Sequence, residues 1–342
     1  MARVRVNDVE LYYEERGAGE PLVMVHGNWV DHHSWDAVAP HLAESFRVIA
    51  YDRRGHSRSG RPPGPVMRRQ NEDDLAGLIE ALAATPVTIA ANSYGASTAL
   101  GLAARRPELV RGVIGHEPPL VAVAMDNPGA ATALAETEAT LRRVIEQIEG
   151  GDAEGGTRRF FERLALGPGT WELLPEAMRL SAVANAPAFV AEQQASDWAQ
   201  LDLSALSRAA VPIQLTQGDQ SPTWFSAIVA EIARSVEHVE VSTIEGAGHA
   251  PNLTHVREYV AAVREFAAGR RRGALSLMKQ TLPTLGSTGR RARLDLPSLS
   301  FEGEERGEND DDGRYPEGKD GQVGGLPSLE AMEGDPSRQK PH

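Results

Sequence analysis

The chain has no cysteine. That excludes a disulfide framework, a thiolate metal site and a cysteine nucleophile. It has no apolar run long enough to span a bilayer. Its first residues, Met-Ala-Arg-Val-Arg-Val-Asn-Asp, lack the apolar stretch of a secretory leader. Aromatic residues make up only 5% of the sequence. Positive charge is in short supply: 35 Lys and Arg stand against 48 Asp and Glu, a net of −13. Such a balance argues against non-specific binding to nucleic acid or to anionic lipid. No repeat of fixed period is visible. These absences lead us to expect a cytoplasmic protein with no membrane and no nucleic-acid partner.

What is present is a core and an alternation. The 342 residues are 41% hydrophobic, enough for one large domain with an insertion. Residues 3–15 alternate polar and apolar and break at Asn7-Asp8, a hairpin signal. Pro21 to Gly27 and Phe46 to Tyr51 are nearly continuous apolar runs, as in strands buried on both faces. Helical spacing over 71–83 precedes the β-branched run Val87–Ile89, and Val110–His116 is a further strand ended by Glu117-Pro118-Pro119. Residues 120–204 are rich in Ala, Glu and Arg with helical spacing. Gly150-Gly151, Gly155-Gly156 and Gly167-Pro168-Gly169 are expected to divide them into helices. Strands return at 211–218 and 239–244, and a helix over 256–268 closes the folded part. The fold class expected is α/β: a mostly parallel sheet with helices on both faces. The expected domains are a core of 1–119 and 205–269, a helical cap of 120–204, and a disordered tail of 270–342 that contains the acidic run Glu302–Asp312.

The candidate chemistry centres on Ala91-Asn92-Ser93-Tyr94-Gly95. A sharp strand-to-helix turn here lifts the Ser93 hydroxyl above the strand's carboxyl end, and the small residues at 91 and 95 let strand and helix approach closely. Ser is also a favoured helix cap, so the motif needs company. His26-Gly27-Asn28 follows a buried strand. The N–H groups of Asn28 and Tyr94 can converge there as an oxyanion hole. Gly246-Ala247-Gly248-His249 lies beyond the last strand, where flexible glycines let His249 reach the cleft as a base for Ser93. The base needs an acid partner, and two positions compete. Asp219 follows the strand where such an acid commonly sits, and Glu117 ends the strand after the serine's helix. Glu117 is favoured.

With these stretches and Asp52-Arg53-Arg54-Gly55-His56-Ser57, the chain resembles the α/β-hydrolase superfamily over about residues 3–268, in the order nucleophile, acid, base. It departs from that pattern at Ala91, where Gly is usual, and at Ser221, where the acid is usual. Glu-Pro-Pro at 117–119 together with Gly-x-x-Ser-Pro at 218–222 looks like a branch whose acid has moved to the earlier strand. The resemblance implies an α/β-hydrolase fold and a cofactor-free hydrolase, most often of carboxylic esters, with a small-molecule ester-type substrate. The family also holds lactonases, amidases, C–C hydrolases, cofactor-free haloperoxidases and non-enzymes. Epoxide hydrolases and haloalkane dehalogenases of this fold need an Asp nucleophile, and Ser93 occupies that place. His26, Asp31, His32 and His33 lack the order of a binuclear zinc site, so no metal is expected. Asp52-Arg53-Arg54-Gly55 is expected to brace the oxyanion loop. The aromatics Phe160, Phe161, Trp171, Phe189 and Trp198 either line an apolar pocket or pack the cap, with packing favoured.

Overall fold

The runs read as strands form strands. The computed structural model describes residues 2–281. Its strands are β1 (Ala2–Val6), β2 (Val9–Arg16), β3 (Glu20–Val25), β4 (Phe46–Tyr51), β5 (Val87–Asn92), β6 (Val110–His116), β7 (Ile213–Gly218) and β8 (Val239–Ile244). They form one eight-stranded sheet in the order β1-β2-β4-β3-β5-β6-β7-β8. β1 and β2 are the expected hairpin, turning at Asn7, whose φ is 50°. β2 runs antiparallel to β4, and every pairing from β4 to β8 is parallel. Period-two alternation explains the apolar runs. In β3, Val23 and Val25 enter one core while Leu22 and Met24 enter the other, so positions 22–25 leave no place for a polar residue.

The helices are α1 (Ala39–Ala43), α2 (Arg68–Ala81), α3 (Tyr94–Arg105), α4 (Ala131–Glu149), α5 (Ala153–Phe160), α6 (Glu176–Ala184), α7 (Ala186–Gln193), α8 (Leu203–Ala209), α9 (Thr223–Ser235), α10 (Pro251–Thr254) and α11 (Val256–Thr281). α2, α3, α8 and α9 cover one face of the sheet, and α1 and α11 the other. Among the described residues no helix is long and apolar enough to cross a membrane.

The chain between β6 and β7 is helical; α4–α7 of this insert share with Trp29 a separate cluster that includes Phe161, Trp171 and Phe189, and the expected boundary at 204 falls inside α8, which packs on the sheet. Gly150 and Gly151 separate α4 from α5 as expected. Gly155 and Gly156 do not divide helices; they lie inside α5. The reason is packing. A Cβ on Gly156 would sit 2.5 Å from Ile148 Cγ1, so the glycine lets α5 close onto α4. The last helix runs on to Thr281, past the expected boundary at 269. The rest of the expected tail lies outside the described residues.

The chain passes from β3 to β4 on one side and then returns to β5 on the other. Strand order reverses there, and a crevice opens beyond the carboxyl ends of β3 and β5. Gly27 follows β3 closely and Ser93 follows β5 directly, so both stand at that crevice.

Candidate active site

Ser93 joins β5 to α3 with φ 55° and ψ −124°. A β-substituted residue held there costs on the order of 1–3 kcal/mol, and the surroundings fix it. Its N–H donates to His116 O at 2.7 Å, and its C=O accepts from Ala96 N at 2.8 Å. Gly95 is needed because a Cβ there would stand 2.3 Å from Val25 O. The start of α3 is thus pressed against the end of β3. A Cβ on Gly27 would stand 3.0 Å from Ser93 Cβ, so the turn after β3 runs beside the serine. Tyr94 opens α3 and its N–H has no acceptor within the helix. Asn28 and Ser93 line the same cavity.

Distance separates the two carboxylates. Glu117 Oε2 lies 2.7 Å from His249 Nδ1, and Glu117 Oε1 accepts from Gly218 N at 2.8 Å. Asp219, the competing candidate, is not on the imidazole. Its exposed carboxylate accepts from Gly246 N at 2.8 Å and closes the loop after β8. The end of β7 is packed so tightly that a Cβ on Gly218 would stand 2.1 Å from Ala247 O. The backbone N–H of Gly218 faces Glu117, while the next carboxylate is carried away to the outer loop.

His249 is buried, with the ring of Phe225 stacked on it at 4.2 Å and 15°. The Asn92 side chain donates to His249 O at 3.0 Å, which ties the base's loop to the residue before Ser93. Burial lowers the imidazole's pKa, against the opposing pull of Glu117. Burial alone would raise the Glu117 carboxyl, but His116 Nε2, 3.4 Å from Oε2, and the hydrogen bond with His249 hold it well below the usual carboxylate range. At neutral pH the acid is therefore ionised and the imidazole neutral, the state a general base requires.

The cavity beside Ser93 is narrow, with a volume of about 20 Å³. Phe160, Phe189 and Trp198 from the insert face it, together with Trp224 and Phe225 from α9. Phe161 and Trp171 pack on each other instead, at 5.6 Å between ring centres. The aromatics of the insert thus divide between wall and core. Among the described residues lining the cavity none carries a charge.

The Asp52–Arg54 stretch does brace loops. Asp52 Oδ1 accepts from His32 N at 2.9 Å, Arg54 grips Asp74 at 2.6 Å, and Arg53 Nε donates to His26 O at 3.0 Å. Among the described residues, ligand-type atoms come within 4.8 Å of one another in Asp31/His32/Asp52 and in His116/Glu117/His249. Hydrogen bonds within the protein engage both groups, among them His32 Nδ1 to Asp52 Oδ1 at 2.6 Å. His26 belongs to neither; its Nε2 accepts from Arg53 N at 2.9 Å. The roles of Phe225, of Asn92, of Arg53 as a loop clamp and of its partner Glu192 were not read from the sequence, although Asn92 lies inside the Ser93 motif. The hint for Arg53 was its position in the bracing stretch.

A mostly parallel sheet thus reverses order beside a strained serine, with a buried Glu–His pair at the same end. The sequence profile of the Alpha/beta hydrolase family matches residues 22–263, and the chain belongs to that family of hydrolases. It is similar to the uncharacterized hydrolase YraK of Bacillus subtilis, 36% identical over 34% of this chain and 44% of that protein. It is also similar to 2-hydroxymuconate semialdehyde hydrolase of Pseudomonas sp., 38% identical over 29% of this chain and 37% of that protein. The chain thus spans less than half the length of these relatives. A bromoperoxidase of Bacillus anthracis has a similar structure, with TM-score 0.63 and 26% identity over 78% of this chain and 99% of that one.

Proposed function

We propose that this hydrolase cleaves a small, largely apolar carboxylic ester or related acyl compound through an acyl-enzyme on Ser93. His249 takes the serine proton through Nε2 as Oγ attacks the carbonyl. Glu117 holds Nδ1–H and stabilises the imidazolium. The Asn28 and Tyr94 N–H groups receive the developing oxyanion. His249 then protonates the leaving group, and water activated by the same imidazole releases the acid. The insert acts as a cap over the site. The observation that carries this reading is the Glu117 carboxylate, divided between His249 Nδ1 and Gly218 N–H at the end of the sheet where Ser93 is held in its strained turn. The uncharged cavity wall favours a neutral acyl group over the carboxylates in the names of relatives such as (E)-2-((N-methylformamido)methylene)succinate hydrolase of Acinetobacter baylyi. The test is turnover of short p-nitrophenyl esters. Ser93→Ala abolishes it with folding intact; full activity in that variant ends the proposal. C–C bond cleavage by the same residues is the second reading, favoured by similarity to 2-hydroxymuconate semialdehyde hydrolase. Ester turnover far below that of a vinylogous diketone would select it.

A further inference from the structure

Arg53 and Glu192 are wholly buried, and the steps above use neither. Arg53 follows β4, and Glu192 lies on α7 of the insert, next to Gln193 and one turn from Phe189, both of which line the cavity. A buried ion pair recovers its desolvation cost only when its remaining donors and lone pairs are also met; Glu192 Oε2 has no partner among the described residues, and the compensation comes from the guanidinium's other donors. Here they are met at one place. Arg53 Nη1 donates to Glu192 Oε1 and, at 3.1 Å, to Asn71 Oδ1. Nε donates to His26 O at 3.0 Å, and Nη2 to Gly27 O at 3.1 Å and Asn28 Oδ1 at 3.2 Å. The guanidinium also lies 4.8 Å from the centre of the Tyr94 ring. One rigid, planar group therefore grips residues 26–28 and rests on Tyr94, the two segments assigned the oxyanion amides. Its other edge is held by the insert.

We propose that Arg53 and Glu192 are a positioning pair that makes the placement of the oxyanion amides depend on how α7 is seated over the sheet. The inference rests on the serine-hydrolase reading. A lysine at 53 keeps the charge for Glu192 but has no fork to hold the His26 and Gly27 carbonyls and the Asn28 side chain together. A merely structural ion pair can be exchanged for apolar residues with little loss; a positioning pair cannot.

The experiment compares wild type, Arg53→Lys, Glu192→Gln and the double variant Arg53→Met/Glu192→Met. It reads the labelling rate of Ser93 by a fluorophosphonate, kcat and KM on p-nitrophenyl butyrate, and Tm. Glu192→Gln strands a buried cation and lowers Tm and kcat together. The double variant regains Tm, while kcat and labelling stay about tenfold to a hundredfold down with KM little changed, the pattern of lost transition-state stabilisation. Arg53→Lys folds and shows the same split. Recovery of kcat together with Tm in the double variant, or wild-type kcat in Arg53→Lys, overturns the pair's positioning role and leaves the nucleophile assignment standing. Failure of wild type to label overturns that assignment, and this inference with it.

Discussion

Glu117→Gln separates a catalytic acid from a structural one, because the two oxygens of Glu117 have different partners. Oε1 accepts from the Gly218 N–H at 2.8 Å, and Oε2 faces His249 Nδ1 at 2.7 Å. Gly218 N–H can only donate, so the glutamine must turn its oxygen there and its NH₂ toward His249. Nδ1 then becomes the acceptor, and the proton moves to Nε2, the atom that must receive the proton of Ser93. The shape is nearly unchanged, so the variant still folds, with a lowered urea midpoint because the folded state favours the ionised carboxylate. The chemistry does not survive: a triad acid made into an amide drops kcat by about 10⁴ through the wrong tautomer. That is about 5.4 kcal/mol of barrier at 1.36 kcal/mol per tenfold. The assay is kcat on p-nitrophenyl butyrate at pH 7.5, with Asp219→Asn as the control. An asparagine at 219 can still accept from Gly246 N, so it keeps wild-type kcat. Wild-type kcat in Glu117→Gln, or an equal loss in Asp219→Asn, would refute the reasoning.

Gly95→Ala drives a methyl to 2.3 Å from Val25 O; we expect a loss of about 3 kcal/mol, read from the urea midpoint, and an unchanged midpoint contradicts the close approach of α3 to β3. His26, His56 and His249 are buried, and lost hydration chiefly holds each imidazole below the usual 6.5. With the folded values depressed, the unfolded chain binds more protons below pH 6.5. Stability therefore falls as pH drops from there toward the folded values, by up to about 1.4 kcal/mol per histidine per pH unit. Burial would lower His32, but Asp52 holds it above 6.5, so it opposes one of the three; urea midpoints from pH 7 to 5.5 should still decline, and a rising series contradicts the burial. Trp198→Ala removes part of the cavity wall, and kcat/KM across a p-nitrophenyl ester series should shift toward longer acyl chains; an unchanged optimum places the acyl group elsewhere.

The fold was legible where one face or both faces of an element met a core. β3 read as an unbroken apolar run because Leu22 and Met24 serve one core and Val23 and Val25 the other. The turn at Ser93 was legible because the close approach of strand and helix demands small residues, and Ala91 and Gly95 supply them. The acid was only half legible. Glu117 and Asp219 each end a strand, and the choice rests on which backbone N–H faces which carboxylate. That depends on the packing of Gly218 against Ala247, a contact distant in sequence from Glu117. Gly155 and Gly156 signal a break by composition, yet Gly156 serves helix-to-helix contact inside α5. Glu192 was invisible because one buried carboxylate among the many charges of 120–204 carries no pattern; its partner Arg53 lies 139 positions away.

The central claim is that Ser93 is an activated nucleophile. The most direct measurement is labelling of the wild-type protein by a fluorophosphonate, with the adduct mapped by peptide mass spectrometry. The account predicts one adduct per chain, on Ser93, and none in Ser93→Ala or after prior unfolding. An unlabelled wild type, or an adduct on another hydroxyl, contradicts it.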